Sequence, residues 1–260
     1  MSRGTRMNNQ VLKRRTERGW QSGLSSLLKR EFRWWGTRSG LFQFGVWIFF
    51  INGLFALVFA AAGIEQAGEA FQIMFGIMPV FSALGILVIA QGTIIRERQS
   101  GTAAWVLSAP VSRSAFFLSK LIPLALGNLT AMLIIPGLIG YLQLSVLLGA
   151  PPPAIPYFYG LSLTFVHLLF YLTLALLGGT VLNTRAGVAG IGLIILFGGS
   201  FLIGFVPETV AALTPWPLGV LAGIAAQGQP IPSLIPVITT VIYSIVFIAV
   251  GIWRFGREEF

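Results

Sequence analysis

Cysteine and aspartate are both absent from the 260-residue chain, and histidine occurs once, as His167. The lack of cysteine excludes disulfides, a thiolate nucleophile and cysteine-based metal sites, and one histidine excludes a multi-histidine metal cluster within a chain. Charged residues make up only 10% of the sequence, against about 25% in an average soluble domain. With 55% hydrophobic residues, the chain has too little polar surface for a soluble fold and is typical of a polytopic membrane protein.

The apolar segments of spanning length carry no Asp, Glu, Lys or Arg in their middle. Ion-coupled carriers usually need buried ionisable groups, and intramembrane hydrolases need a carboxylate pair, a metal cluster or a nucleophile with a base. A G-x-x-x-x-G-K-[ST] phosphate loop is also missing, because no glycine precedes Lys13, Lys29 or Lys120. We therefore predict no catalytic, cofactor-binding or metal site. For His167 we favour a hydrogen bond between helices over a proton relay or a ligand.

Six segments are long and apolar enough to cross a bilayer, which takes roughly 20 residues. They cover residues 41–62, 71–95, a part of 115–148, 157–182, 186–206 and 234–253. The sequence thus predicts an all-α membrane protein with a flexible basic N-terminus over 1–19, an amphipathic helix over 20–40 and a six-helix transmembrane domain over 41–260. We expect no cleavable signal peptide, because no apolar stretch precedes Leu41.

All 17 basic residues fall on one side of this six-span arrangement. Ten precede the first span, and the others are Arg96, Arg98, Arg113, Lys120, Arg185, Arg254 and Arg257. The opposite loops carry only Glu65, Glu69 and Glu208. The positive-inside rule then predicts that both termini are cytoplasmic. As a separate expectation, we assign the protein to the inner membrane of a prokaryote. This placement explains the net charge of +9 through contacts with membrane lipids, and we expect no nucleic-acid partner.

Two segments outside the spans are amphipathic or apolar. In residues 20–35 the apolar side chains at helical spacing are Trp20, Leu24, Leu27, Leu28 and Trp35. This pattern predicts an interfacial helix on the cytoplasmic leaflet, with a solvated basic tail as the alternative. Residues 206–233 are apolar but interrupted by proline and glycine, which predicts short helices in the outer leaflet before the sixth span.

The loop between the second and third spans has the most informative sequence. It reads RERQSGTAAWVLSAPVSR over residues 96–113. Gly101 permits a turn, Thr102 is predicted to cap a short helix over 103–107, and Ala109-Pro110 ends that helix before Ser112 caps the next one. The apolar residues of the short helix need a partner, which is either lipid headgroups or another protein.

These motifs resemble the membrane subunit of the type-2 ABC exporter family. That family typically has Glu-Arg, Gly-Thr and Leu-Ser-x-Pro-Val-Ser-Arg at this place and a lysine early in the third span. The matching residues here are Glu97-Arg98, Gly101-Thr102, residues 107–113 and Lys120. Lys29-Arg30-Glu31-Phe32-Arg33 is similar to the family's connecting helix, and the proline-rich stretch around Thr214-Pro215-Trp216-Pro217 to its outer loop.

The resemblance implies a permease subunit of an ATP-driven exporter, without enzymatic activity of its own. Two separate P-loop ATPase subunits would bind ATP and Mg²⁺, and a second permease subunit, identical or homologous, would complete the translocation path. The ATPase-coupling loop would use Arg96, Glu97, Arg98, Gly101, Thr102, Trp105, Leu107, Pro110 and Arg113, and the connecting helix Lys29, Arg30, Glu31 and Arg33. One departure is that Ala103 and Ala104 stand where many relatives have a glutamate among similar residues.

Small residues on two spans indicate close helix contacts. They are Gly53, Ala56 and Ala60 in the first span and Gly187 and Gly190 in the fifth. In the exporter family these spans commonly form the subunit interface. Two other functions stay open at this point: a channel or carrier that does not use ATP, and a scaffold subunit of a membrane complex. The transported substrate is not encoded in any motif that we recognise.

Overall fold

The computed structural model describes residues 19–63 and 66–257, and the regular elements of this part of the chain are helices. The predicted flexible N-terminus lies outside the described residues except for Gly19, as do Glu65 and the last three residues. A 3₁₀ turn, Gly19–Gln21, comes first. The helices are α1 Leu24–Trp35, α2 Arg38–Ala62, α3 Ala67–Ala90, α4 Thr93–Gln99, α5 Thr102–Leu107, α6 Arg113–Leu129, α7 Ile135–Leu147, α8 Ala154–Val181, α9 Arg185–Leu193, α10 Gly199–Leu202, α11 Glu208–Ala211, α12 Leu218–Ala226 and α13 Ile235–Gly256. Two π-helical segments, Thr130–Ile134 and Ile194–Gly198, join α6 to α7 and α9 to α10.

Five helical stretches are long and apolar enough to cross a membrane: Arg38–Ala62, Ala67–Gln99, Arg113–Leu147, Ala154–Val181 and Ile235–Gly256. They confirm the prediction of an all-α membrane protein. The fifth predicted span, 186–206, corresponds to a shorter apolar helix, Arg185–Gly198, which is followed by α10, Gly199–Leu202. At 1.5 Å per residue this apolar helix is roughly 21 Å long, less than the hydrocarbon core of about 30 Å.

The second predicted span is divided in the structure. It was expected to run to residue 95, whereas α3 ends at Ala90 and α4 starts at Thr93. Gln91 and Gly92 form the turn between the two helices. This turn separates the charged residues of α4 from the apolar part of the span.

The third span contains a π-helical segment because of a proline. Pro136 has no N–H, so the carbonyl of Met132 loses its ordinary helical donor. The hydroxyl of Ser82 on α3 donates to that carbonyl at 3.0 Å, and Ile135 N–H donates to Thr130 O, five residues back. A side chain from the neighbouring helix thus satisfies the carbonyl that the proline leaves free, as it must in a bilayer.

The π-helical segment Ile194–Gly198 also has a partner on another element. The indole N–H of Trp216, which precedes α12, donates to Ile195 O at 3.1 Å. Trp216 lies directly against Gly199, where a Cβ atom would overlap its ring. Glycine at position 199 is therefore required for this close contact.

Helix α8 forms the centre of the bundle and packs against α3, α12 and α13. The contact with α12 is very close, since a Cβ atom at Gly160 would lie 2.5 Å from Ala222 O. In the most apolar stretch, 67% of α8 is buried, against 17% of α2 and 22% of α13. Helices α2 and α13 are therefore peripheral and direct large apolar side chains outwards.

Candidate functional site

The amphipathic helix α1 packs against α6 and buries one aliphatic and one aromatic side chain. Leu27 and Trp35 are the buried residues of α1. Trp35 lies against Gly127, and a Cβ atom there would overlap the indole ring. The helix runs from Leu24 to Trp35 and is shorter than the predicted segment 20–40. The start of that segment belongs to the 3₁₀ turn, and its last residues, 38–40, belong to α2.

A charged cluster joins α1, α4 and α6. Lys120 on α6 is 3% exposed, and its ammonium group donates to Glu31 Oε1 at 2.8 Å and to Glu97 Oε1. Arg30 binds the same two carboxylates, with 3.0 Å to Glu31 and 3.2 Å to Glu97. A buried ammonium group is tolerated only when such partners compensate for its lost hydration. We call Arg30, Glu31, Glu97 and Lys120 the interhelix charge cluster.

The aromatic ring of Phe116 completes the surroundings of Lys120. The Lys120 ammonium lies 5.5 Å from the ring centroid, within the range of a cation–π contact. Phe116 in turn stacks on Phe255 of α13 at 5.0 Å. The cluster is thus also connected to the last helix.

Glu97 was expected, from the resemblance, to help hold a partner. The side chain is 16% exposed, and its carboxylate contacts Lys120 and Arg30 of its own chain. The Oε2 atom is buried and has no hydrogen-bond partner among the described residues. Glu97 therefore fixes the position of α4, a role that sequence reasoning did not assign because its partners lie 67 and 23 residues away.

Arg98 connects the same loop to the end of α8. Its guanidinium donates to Gly179 O at 3.2 Å, to Leu182 O at 3.1 Å and to Asn183 Oδ1 at 3.3 Å. The last carbonyls of a helix lack intrahelical donors, and a cation there also interacts favourably with the helix dipole. Gln99 adds a hydrogen bond to Asn183 O at 2.9 Å. Neither Gln99 nor Asn183 was identified from the sequence.

The short helix α5 follows a glycine turn, as predicted, but its capping differs. Gly101 has φ 71° and occupies the N-cap position without a side-chain hydrogen bond. The prediction that Thr102 caps the helix is therefore wrong: Thr102 is the first helical residue, and its hydroxyl lies 2.7 Å from that of Ser100. Ser112 does cap α6, since its hydroxyl accepts from Ala115 N–H at 3.0 Å.

Helix α5 has one buried and one exposed face. Ala103 and Val106 are buried, whereas the indole of Trp105 is 75% exposed. Ala103 has no exposed surface, so a glutamate at this position would need a different packing. Between α1 and α5 lies a cavity of about 420 Å³ whose lining includes Leu27, Arg30, Trp105 and Val111.

Hydrogen bonds hold the segment after α5 against the 3₁₀ turn. Ser112 N–H donates to Ser22 O at 3.0 Å, and the Ser22 hydroxyl donates to Pro110 O at 2.5 Å. Arg113 donates to Gly256 O at the end of α13. The loop residues of the sequence prediction thus meet the connecting helix, α6, α8 and α13 at one end of the bundle. Leu107 is partly buried, while Arg96, Lys29 and Arg33 are exposed.

The small residues predicted for a subunit interface are exposed or partly buried. Ala56 and Ala60 are exposed on α2, and Gly53, Gly187 and Gly190 are partly buried. A Cβ atom at Gly53 or Gly190 would meet nothing within 4 Å. Helices α2 and α9 both pack against α3.

His167 lies away from this end of the bundle. Its Nδ1 is 3.2 Å from Pro215 O, in the segment between α11 and α12. It lines a mainly apolar cavity of about 440 Å³ together with Phe75, Pro79, Trp216 and Val220. The hydrogen bond agrees with the reading of His167 as a residue that joins two elements.

The long apolar helices, together with the interhelix charge cluster at one end of the bundle, define a multi-pass helical membrane protein. The family profile described as "ABC-2 family transporter protein" matches residues 48–260, so the chain belongs to the ABC-2 family of transporter proteins. This result confirms the family predicted from the loop and connecting-helix motifs. A search of curated proteins gave no significant match. Family membership assigns the chain to the membrane subunits of ABC transporters.

Proposed function

We propose that this protein is the permease subunit of an ATP-driven exporter and has no catalytic activity of its own. The observation that carries the proposal is the interhelix charge cluster beside α5. The exposed Trp105 stands on a short helix that packs against α4, and the cluster joins α4 to α1 and α6. A force applied to α5 would reach three helices at once through these contacts.

In this proposal six helices cross the inner membrane of a prokaryote, with both termini in the cytoplasm. The sixth crossing is the apolar helix that starts at Arg185. The one-sided distribution of the basic residues supports this topology, because positive loops remain cytoplasmic. Helices α11 and α12 then belong to the outer leaflet, and α1 lies at the cytoplasmic surface.

The partners in this proposal are two separate ATPase subunits and a second permease subunit of the same sequence. ATP and Mg²⁺ would be bound by the ATPases. Each ATPase would receive α5 in a groove, with Trp105 as the central apolar contact, because exposed aromatic residues dominate many interfaces. The uncovered faces of α2 and α9 would meet the second permease, since small residues allow helix backbones to approach closely.

Coupling would then depend on rigid contacts between elements. Closure of the two ATPases would displace α5, and packed helices respond by switching between discrete arrangements. The interhelix charge cluster transmits the displacement to α1 and α6, and Arg98 transmits it to the end of α8. Glu97 acts as a positioning residue in this scheme, without touching the ATPase.

The test is purification of the full chain from its own host in mild detergent, with identification of bound proteins by mass spectrometry. We expect a stoichiometric P-loop ATPase with the wild type, and its loss with Trp105→Ala. Trp253→Ala is the matched control, because Trp253 is also exposed, at 55%, but lies on α13. A folded dimer without an ATPase would contradict the proposal. Conductance in planar bilayers would then indicate a channel, and its absence a scaffold subunit.

A further inference from the structure

Two arginines from different helices converge on one buried glycine. Gly92 lies in the turn before α4, and a Cβ atom placed on it would be 3.2 Å from Arg185 Cδ and 3.4 Å from Arg185 Nε. The same point is 3.7 Å from Arg96 Nη2. Arg96 belongs to α4, and Arg185 is the first residue of α9. The turn at Gly92 therefore brings two positive charges together that are 89 positions apart in the sequence.

These two charges have no counter-ion within residues 19–63 and 66–257. Arg96 and Arg185 are both exposed and form none of the ion pairs between described residues. The carboxylates of the interhelix charge cluster are already occupied by the two cations of that cluster. Neighbouring like charges repel each other, and an anion bound between them turns that repulsion into attraction. The pair is therefore suited to an anionic ligand.

The spacing of the two side chains fits a phosphate group. Arg185 Nε and Arg96 Nη2 are no more than about 7 Å apart, a gap that two oxygens of one phosphate can span because each N⁺–H···O⁻ bond takes up about 2.8 Å. Guanidinium groups stay charged at any ordinary pH and present planar donors that suit phosphate oxygens. One phosphate would thus connect α4 with the start of α9.

The surroundings of Arg185 favour a lipid as the source of the phosphate. Arg185 lies between the spanning helix α8 and the apolar helix that follows it. Val181, the last residue of α8, is 52% exposed, and Ile191 of α9 is 46% exposed. Apolar surface of this kind faces acyl chains in a membrane, and basic groups between membrane helices bind lipid headgroups.

We propose that Arg96 and Arg185 together bind one phosphate group of an anionic phospholipid. In the topology given under the proposed function this lipid belongs to the cytoplasmic leaflet. It is a structural ligand that joins α4 to the fifth crossing. Binding requires neither the ATPase nor a second permease, so a failure of this proposal leaves the proposed function untouched, and the reverse also holds.

The test uses the full chain in detergent with phosphatidylglycerol, phosphatidylcholine or water-soluble glycerophosphoglycerol at equal concentrations. Native mass spectrometry counts the retained lipids, and thermal unfolding follows the stabilisation that a bound ligand confers. We expect phosphatidylglycerol to bind about tenfold more tightly than phosphatidylcholine, whose choline neutralises the phosphate charge. Equal binding of the two lipids would overturn the proposal. Glycerophosphoglycerol binding as tightly as phosphatidylglycerol would overturn the lipid source.

Arginine variants separate this site from general attraction between a basic protein and anionic lipid. Arg96→Gln and Arg185→Gln should each weaken phosphatidylglycerol binding about tenfold. The control Arg254→Gln removes the same charge at an exposed position of α13 and should change binding little. The double variant should lose less than the product of the two single effects, because both residues hold one phosphate. Fully multiplying effects, or an equal loss in Arg254→Gln, would contradict the site.

A further variant blocks the site and leaves every charge in place. Gly92→Leu puts an apolar side chain between the two arginines and should remove the preference for phosphatidylglycerol over phosphatidylcholine. Gly45→Leu is the matched control, since a Cβ atom at Gly45 meets nothing within 4 Å. Thermal unfolding without added lipid establishes that the variants are folded. A folded Gly92→Leu protein that keeps the preference would also overturn the proposal.

Discussion

The ammonium group of Lys120 lies 2.8 Å from the carboxylate of Glu31, and this ion pair fastens the amphipathic helix α1 to the membrane helix α6. Glu97 adds a third helix, since its carboxylate binds the same ammonium. An ion pair at the surface contributes little to stability, but here Lys120 is almost fully buried. Loss of Lys120 would leave Glu31 and Glu97 with only the guanidinium of Arg30.

The first prediction concerns this ammonium. Lys120→Met should lower the free energy of unfolding by about 3 kcal/mol, because the two carboxylates would lose their buried cation and keep only the more exposed guanidinium of Arg30. The figure is taken from the low end of the range for buried pairs, since Glu31 is partly exposed. Thermal unfolding in detergent measures the change. The triple variant Lys120→Met/Glu31→Gln/Glu97→Gln should regain much of the stability, and a triple variant as unstable as the single one would contradict the cluster's role.

The second prediction concerns the contact between Trp35 and Gly127. Gly127→Ala should displace the indole, because the new methyl group would overlap its ring. Overpacking of this kind costs about 1–3 kcal/mol. We expect faster proteolysis within α1 together with lower ATPase coupling. Gly45→Ala is the matched control, since a Cβ atom there meets nothing within 4 Å. Equal proteolysis of the two variants would exclude the close contact.

The third prediction uses the π-helical segment in the third span. Ser82→Ala leaves Met132 O without its donor and should cost about 1 kcal/mol. Pro136→Ala supplies a backbone N–H in the same turn, so the loss caused by Ser82→Ala should shrink in that background. A double-mutant cycle on thermal unfolding measures the coupling between the two positions. Additive effects would show that the serine does not compensate for the proline.

The fourth prediction addresses the membrane topology. Because the chain has no cysteine, single cysteines can be introduced without background labelling. In intact cells, Glu69→Cys should react with a membrane-impermeant maleimide. Ser100→Cys should react only after the membrane is opened. The reverse pattern of labelling would overturn the proposed orientation of both termini.

Much of the fold was predictable because apolar runs and turn residues act locally. The first, fourth and last predicted spans match α2, α8 and α13 within a few residues. The partners of the π-helical segments were not predictable, because the side chains that donate to their carbonyls, Ser82 and Trp216, come from other elements. The capping of α5 was mistaken for a related reason: a glycine with positive φ can replace a side-chain cap.

The candidate site was predictable as a set of residues but not as an arrangement. The motifs singled out Glu31, Glu97 and Lys120 separately, and nothing in their spacing indicated that they share one ion-pair cluster. Long-range pairing of this kind is decided by the packing of α1 on α6, which in turn depends on Gly127 and Trp35. The roles of Asn183 and Gln99 at the end of α8 were missed because amides carry no distinctive motif.

The exposed face of α5 has a consequence for how a partner would recognise it. From Thr102 to Leu107 the helix has no ionisable side chain, and the carboxylate closest to it in sequence, Glu97, is engaged within the chain. Attraction between unlike charges weakens with added salt, whereas burial of an indole does not. A complex held through Trp105 should therefore persist at high ionic strength, and its partner would be selected by the shape of an apolar groove and not by complementary charge.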